Sequence, residues 1–217
     1  MGILGALSNP SQFLAMIAAL VVGLSVHECA HAWMALRLGD DTAASYGRLT
    51  LDPRKHIDPL GALVFLMVGF GWAKPVPVDG YRIGRRGMLQ VGLAGPASNL
   101  LLATAAAVVL RLAVLSGVTA GSVSGIAQSF LGTFMFLNLA LAVFNLLPIA
   151  PLDGWNVLLG VVPQDTAERL DGVSRYGSMV LMALLLFGVV GQRNILGTII
   201  WTPVQWLAGL LLGRSVG

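Results

Sequence analysis

The chain has 217 residues, 56% of them hydrophobic and 11% charged, with a mean hydropathy of +0.82 and a formal net charge of +3. Soluble domains carry about 25% charged residues, so the composition excludes an ordinary soluble domain and points to a polytopic membrane protein, with room for about five or six spans of roughly 20 residues. The basic residues sit beside apolar runs and read as topology determinants rather than a nucleic-acid patch, and the single cysteine, Cys29, excludes an internal disulfide and a cysteine zinc cluster.

The first stretch, MGILGALSNPSQ, has neither a basic n-region nor a cleavage site, so no removable signal peptide is expected. Asn9 can cap and Pro10 can open a helix, and Gly39 is a natural stop. A helix of that extent is roughly 42 Å long, enough to cross a bilayer with some tilt. Its C-terminal third holds Val26-His27-Glu28-Cys29-Ala30-His31. His27 and His31, at i and i+4, share one helix face, so both imidazoles can reach one zinc ion. Glu28 is rotated by about 100°, near enough to hold a metal-bound water without being a ligand. The HExxH pattern alone is weak, because it recurs by chance in soluble helices, and a polar helix-packing contact is the alternative. Ionisable side chains at membrane depth favour function. Cys29 lies away from the metal face and reads as a small packing residue. Glu28 is about 13 Å from Arg37 along the axis, which puts the candidate site inside the bilayer but near the face where this helix ends.

Residues 40–59 are polar and rich in turn signals, and Tyr46 to Leu51 alternates as a short strand would. Residues 60–72 are apolar but short for a span. Four basic residues precede them (Arg37, Arg48, Arg54, Lys55) and four follow (Lys74, Arg82, Arg85, Arg86). A re-entrant segment keeps all eight on one side, as the positive-inside rule prefers. The next span is expected over about 88–115, with a small-residue face at Gly92, Gly95 and Ala97, a kink at Pro96, and Asn99 one turn after Gly95. A further span over about 125–147 ends in Asn145-Leu146-Leu147-Pro148-Ile149-Ala150-Pro151-Leu152-Asp153-Gly154, where two prolines unwind the helix end just before Asp153. A short helix over 154–160 leads to a polar loop. Two final spans, about 174–191 and 195–213, are joined by a tight turn at Gln192-Arg193-Asn194 and carry no ionisable group on their apolar faces. The expected fold is thus an all-α polytopic membrane protein of about five transmembrane helices plus a re-entrant or β-hairpin segment. Eleven basic residues then face one side, Arg111 and Arg193 the other. The eleven mark the cytoplasmic face, where the HExxH helix ends, and Asp153 reaches that same face.

These residues resemble the site-2 protease family of intramembrane zinc metalloproteases, in its short prokaryotic form. The resemblance rests on HECAHA (27–32), GRLTLDPRKHIDPLG (47–61), GWAKPVPV (71–78), AGPASN (94–99) and NLLPIAPLDG (145–154), in family order. It implies one Zn2+ per chain, held by His27, His31 and Asp153 with water in the fourth position, and Glu28 as general base. It implies that Asn99 and Asn145 hold the substrate backbone or the developing oxyanion. The substrates would be transmembrane proteins or peptides, cut in or near their membrane segments in regulated intramembrane proteolysis. The protein would lie in the lipid bilayer of a prokaryotic inner membrane with its site toward the cytoplasm, and no nucleic acid is expected as a partner. One protease domain would fill 1–217, with a catalytic core over about 10–160 and a C-terminal helical hairpin over about 174–213, and no PDZ or nucleotide-sensing domain. Ala150 stands where the family often has proline, and Asp79 where asparagine is common. Blander readings stand beside these. Asp153 suits a helix N-cap, Asn99 and Asn145 suit interhelical hydrogen bonds, and His56 suits a hairpin hydrogen bond as well as an outer position at the site. The alternative to an enzyme is a non-catalytic scaffold or metal-handling carrier.

Overall fold

The computed structural model describes residues 10–68, 71–117, 122–190 and 195–213. Helix α1 (Pro10–Arg37) is followed by two single-turn helices, α2 (Thr42–Ser45) and α3 (Pro53–His56). Then come α4 (Pro59–Val68), α5 (Gly80–Leu115) and α6 (Ser122–Asn145). Short helices α7 (Asp153–Val161) and α8 (Gln164–Asp171) lead through a 3-10 turn, Ser174–Tyr176, to α9 (Gly177–Val190) and α10 (Ile195–Leu212). Three helical stretches are long and apolar enough to cross a membrane: Gln12–Arg37, Gly80–Leu115 and Gly125–Asn145. The turn expected at 192–194 lies outside the described residues.

The core is a three-helix contact of α5, α6 and α10. Ala103, Ala106 and Ala107 of α5 meet Met135 and Leu139 of α6 and Val204 and Ala208 of α10, all buried. Between helices in lipid there is little hydrophobic driving force, so small residues that let backbones approach give the contact its dispersion energy. Helix α1 packs on the other side of α5 and α6.

Several expectations are corrected. No strand forms among the described residues, and the single antiparallel bridge joins Ile57 to Ala73. The alternation at Tyr46–Leu51 does not become a strand, because Gly47 takes φ +66° and turns the chain. Arg48 is drawn inward as well, donating to the carbonyls of Lys55, Lys74 and Pro75. Helix α5 begins at Gly80 rather than 88, capped by the Asp79 carboxylate on the Tyr81 amide at 3.0 Å. Its kink is at Gly84, whose φ of 65° only glycine adopts freely, and not at Pro96, which lies buried within regular helix. The polar stretch after α7 is helical.

Segment 58–73 doubles back. Helix α4 is about 15 Å long, half of a hydrocarbon core of about 30 Å, and its two flanks meet. Besides the Ile57–Ala73 bridge, the Lys74 amide donates to His56 O at 2.7 Å, and Gly61 lies against the Trp72 backbone, too close for any side chain at 61. The ends of α1 and α5 are tied as well. Buried Asp40 accepts from the Thr42 amide (3.0 Å), the Thr42 hydroxyl (2.5 Å) and the Asp79 amide (2.7 Å), with Arg82 beyond.

The last pair of helices is not the expected pair of opposed spans. Arg111, near the end of α5, donates to Leu211 O and lies against Gly213. Helix α10 therefore runs parallel to α5. Counting back 18 residues at about 1.5 Å each puts the start of α10 level with Gly92–Gly95. Helix α9 starts against Ala150.

Two outcomes follow. In a Cys29→Ala background, cysteines at Lys55 and Tyr81 are expected to react with an impermeant thiol reagent from one side, and cysteines at Leu115 and Gly213 from the other. Labelling of the cysteine at 213 together with 55 and 81 would contradict the parallel α10. The second concerns pH. Burial opposes ionisation of Asp40, but the Thr42 hydroxyl, the Asp79 and Thr42 amides and Arg82 outweigh it and hold its carboxyl below the usual range. A depressed folded pKa adds stability above the unfolded value of about 3.9, lost as pH falls through the folded value. Between pH 5 and 3 the thermal midpoint in detergent should fall more for the native chain than for Asp40→Asn. Equal slopes would remove Asp40 from this role.

Candidate metal centre

The site is assembled from three helices. His27 and His31 come from α1, one turn apart, with ring centroids 4.6 Å apart. Asp153 comes from the first turn of α7. It is not the N-cap, since Leu152 holds that position with extended backbone and there is no side-chain cap. Its carboxylate is thus free of the helix amides. Asp153 Oδ2 lies 3.0 Å from His27 Nε2 and 3.2 Å from His31 Nε2, and the two Nε2 atoms are 3.0 Å apart. Both histidines are buried.

The outer ring nitrogens decide what those inner atoms are. His31 Nδ1 is 2.7 Å from Val91 O, a carbonyl that can only accept. A neutral His31 therefore carries its proton on Nδ1 and presents a lone pair at Nε2. His27 Nδ1 is 2.6 Å from Asn99 Oδ1. The Asn99 amide is oriented by its other end, which donates to Gly23 O at 3.1 Å and to Asn138 Oδ1 at 2.9 Å. Its oxygen thus faces His27, and a neutral His27 likewise carries its proton on Nδ1 with a lone pair at Nε2. In that form two imidazole lone pairs and a carboxylate oxygen face one another at 3.0–3.2 Å. A positive charge among the three, a metal ion or a proton on one imidazole, holds them together. The distances match ligands of a tetrahedral zinc ion, whose ligand-to-ligand edge is about 3.3 Å for bonds of about 2.0–2.1 Å. Among the described residues these three are the group of His, Cys, Asp and Glu able to hold a metal ion.

Backbone approach makes the convergence possible. A Cβ at Gly95 of α5 would lie 2.5 Å from His31 Nε2 and 2.6 Å from His27 Nε2. A Cβ at Gly154 would run into the carbonyls of Leu146 and Leu147, so only glycine lets the loop after α6 fold beneath that helix and bring Asp153 round.

The remaining residues singled out from the sequence are placed as follows. Glu28 is 8% exposed and makes no hydrogen bond among the described residues. Asn99 is fully buried, its amide shared among His27, Gly23 and Asn138. Asn145 is half-buried and donates to Leu141 O of its own helix at 3.0 Å. His56 is buried in the loop region, donating from Nε2 to Thr50 O at 2.7 Å, and its Nδ1 has no partner. The sequence reading overlooked Asn138, fully buried on α6. Its signal was there, a lone amide within an apolar run and seven residues before Asn145 on the same helix face.

Gly95→Ala tests the packing directly. It should cost at least about tenfold in zinc affinity while the fold, followed by far-ultraviolet circular dichroism, persists. Undiminished affinity would mean that the imidazoles do not need the bare backbone.

Comparison with known proteins places these residues in a wider group. The family model described as peptidase family M50 matches residues 114–188. YwhC of Bacillus subtilis (strain 168), named as a candidate zinc metalloprotease, is 39% identical over 175 residues, spanning 79% of this chain and 80% of that protein. Rip2 of Mycolicibacterium smegmatis, named in the same way, is 34% identical over 186 residues, or 83% of this chain and 70% of that protein. Rip2 of Mycobacterium tuberculosis (strain H37Rv) is 35% identical over 199 residues, covering 85% and 74%. No solved structure matches.

Proposed function

The chain belongs to peptidase family M50, the zinc metalloproteases of site-2 type, and from that premise we propose that His27, His31 and Asp153 hold one zinc ion per chain and that Glu28 is the general base of peptide hydrolysis. The observation that carries this reading is the set of three metal-donor atoms, two imidazole nitrogens and a carboxylate oxygen, within 3.0–3.2 Å of one another. When bound, zinc lowers the pKa of an attacking water and polarises the peptide carbonyl.

The protein's own groups do the rest. Glu28 follows His27 directly, and no hydrogen bond ties its carboxylate to another described side chain, so it is available to take a proton from water and return it to the leaving amine. Asn99 acts as a positioning residue, since its amide is wholly engaged with His27, Gly23 and Asn138. Asn145 keeps the assignment to substrate backbone or oxyanion, because an amide that donates one hydrogen to Leu141 O retains a second. His56 pins the loop before α4 through Thr50 O.

Protein substrates follow from the family. Their membrane character follows from the setting of the site, among helices long and apolar enough to cross a bilayer. We assign as substrates transmembrane segments unwound near one face, cut in regulated intramembrane proteolysis within a prokaryotic inner membrane. That face is cytoplasmic, since eight of the 13 Lys and Arg residues fall between Arg37 and Arg86, in and around the loops that flank α4.

Two substitutions separate ligand from base. Glu28→Gln should keep zinc near one equivalent per chain while single-turnover cleavage of a model transmembrane substrate falls by at least about a hundredfold. Asp153→Ala should lower both zinc content and cleavage. Full zinc in Asp153→Ala, or loss of zinc in Glu28→Gln, would reverse the assignment, and unchanged cleavage in Glu28→Gln would leave a scaffold rather than an enzyme.

A further inference from the structure

Asn138 belongs to no part of the chemistry described so far, yet it is fully buried in the apolar middle of α6 and all of its polar capacity points one way. Its Nδ2 donates to Phe134 O at 2.9 Å, one turn back on its own helix. Its Oδ1 accepts from Asn99 Nδ2 at 2.9 Å. Asn99 Nδ2 spends its second hydrogen on Gly23 O, and Asn99 Oδ1 faces His27 Nδ1. These bonds form a chain with a fixed direction, because Phe134 O and Gly23 O can only accept. Turning the Asn138 amide over would set two oxygens face to face at Phe134. Turning Asn99 over would set its oxygen against both Gly23 O and Asn138 Oδ1. Each amide therefore has one allowed orientation, and the last member, His27, has one allowed tautomer.

We propose that Asn138 is a positioning residue for the metal centre: through the Asn99 amide it holds the His27 proton on Nδ1, so that the Nε2 lone pair faces His31 and Asp153. The proposal rests on the reading of His27 as a zinc ligand and extends it from α1 and α5 to α6. Without Asn138, one Asn99 hydrogen loses its acceptor inside a dry interior, and Gly23 O alone is left to orient the amide. The α6 helix is then no longer coupled to the imidazole except by packing. Gly23 is part of the same arrangement. A Cβ there would lie 2.9 Å from Asn138 Oδ1, so the bare backbone at 23 lets the amide approach α1.

The test uses the full-length protein in detergent, with the metal itself as probe. Asn138→Leu keeps the volume and removes the amide, and Asn138→Asp, kept neutral by burial, donates its O–H to Phe134 O and keeps an acceptor toward Asn99. Leu139→Ala is the packing control, a fully buried neighbour on the same helix that touches no polar group of the site. Zinc affinity is measured by competition with a chelator. The tautomers are read from 15N-labelled histidine in the zinc-free protein, which has three histidines to resolve. Asn138→Leu should weaken zinc binding about 10–100-fold, the usual cost of losing a group behind a metal ligand, and should add a second tautomer at His27. Asn138→Asp should stay within about threefold of the native chain by the same measure. Leu139→Ala should lower the thermal midpoint while leaving zinc affinity and tautomers unchanged. The proposal is overturned if Asn138→Leu leaves both affinity and the His27 signature intact, or if Leu139→Ala moves them equally. Should Asn138→Leu not fold, loss of affinity in Asn138→Asp equal to that of Asn99→Leu overturns it as well. His27→Gln in the same series keeps the two readings apart: if zinc binding survives that change, it is the ligand assignment that fails, and the His27 tautomer in the zinc-free protein still judges Asn138.

Discussion

Three lone pairs meet at one point between α1, α5 and α7, in a bundle whose interior is largely alkyl. That convergence is what the neighbouring structure has to sustain. Two of the lone pairs belong to imidazoles whose outer nitrogens are engaged by Val91 O and Asn99 Oδ1. The third belongs to a carboxylate that the chain delivers by folding back under the end of α6. In a medium of low polarity such groups repel until a positive charge joins them, and the same medium strengthens their attraction for it. The protein thus presents donors that call for a cation, and family membership identifies the metal as zinc.

Sustaining the arrangement falls largely to backbone proximity. Glycine at 95 and at 154 removes the one atom that would hold the elements apart. Carbonyls at Val91, Gly23 and Phe134 act as fixed acceptors, and helical backbone cannot reorient to relieve a mismatch. Around the periphery, Asp40 and Arg48 gather the loops between α1 and α5 so that both flanks of α4 return to one place. These ties are polar because they lie outside the apolar layer, where water would otherwise satisfy the same groups.

Much of the site was legible in the residues themselves. The i, i+4 spacing of His27 and His31 dictates a shared face, and the direction of the helices brings Asp153 to the same depth. Asn138 stood out as an amide in an apolar run, but its role was not legible, because its partner lies 39 residues away and nothing local distinguishes a linking amide from an idle one. The role of Asn99 was open for a related reason, since an amide can face a substrate or an imidazole and only its neighbours say which. The start of α5 could be read from Asp79-Gly80, but the proline at 96 drew attention to the wrong kink. The direction of α10 had no signature at all. Hydropathy measures how apolar a helix is and carries no arrow.

The parallel course of α5 and α10 sets a distance. The C-terminal ends of the two helices meet at Arg111, well beyond Gly95, whose backbone lies against the metal-binding histidines. At about 1.5 Å per residue, a module grafted beyond Gly213 would start about 24 Å along α5 from that centre. A sensor meant to speak to it from there would need a linker of that reach, whereas an insertion in the loops after α1 or α7 would begin closer. The orientation of one apolar helix thereby limits where such a protein can acquire new domains.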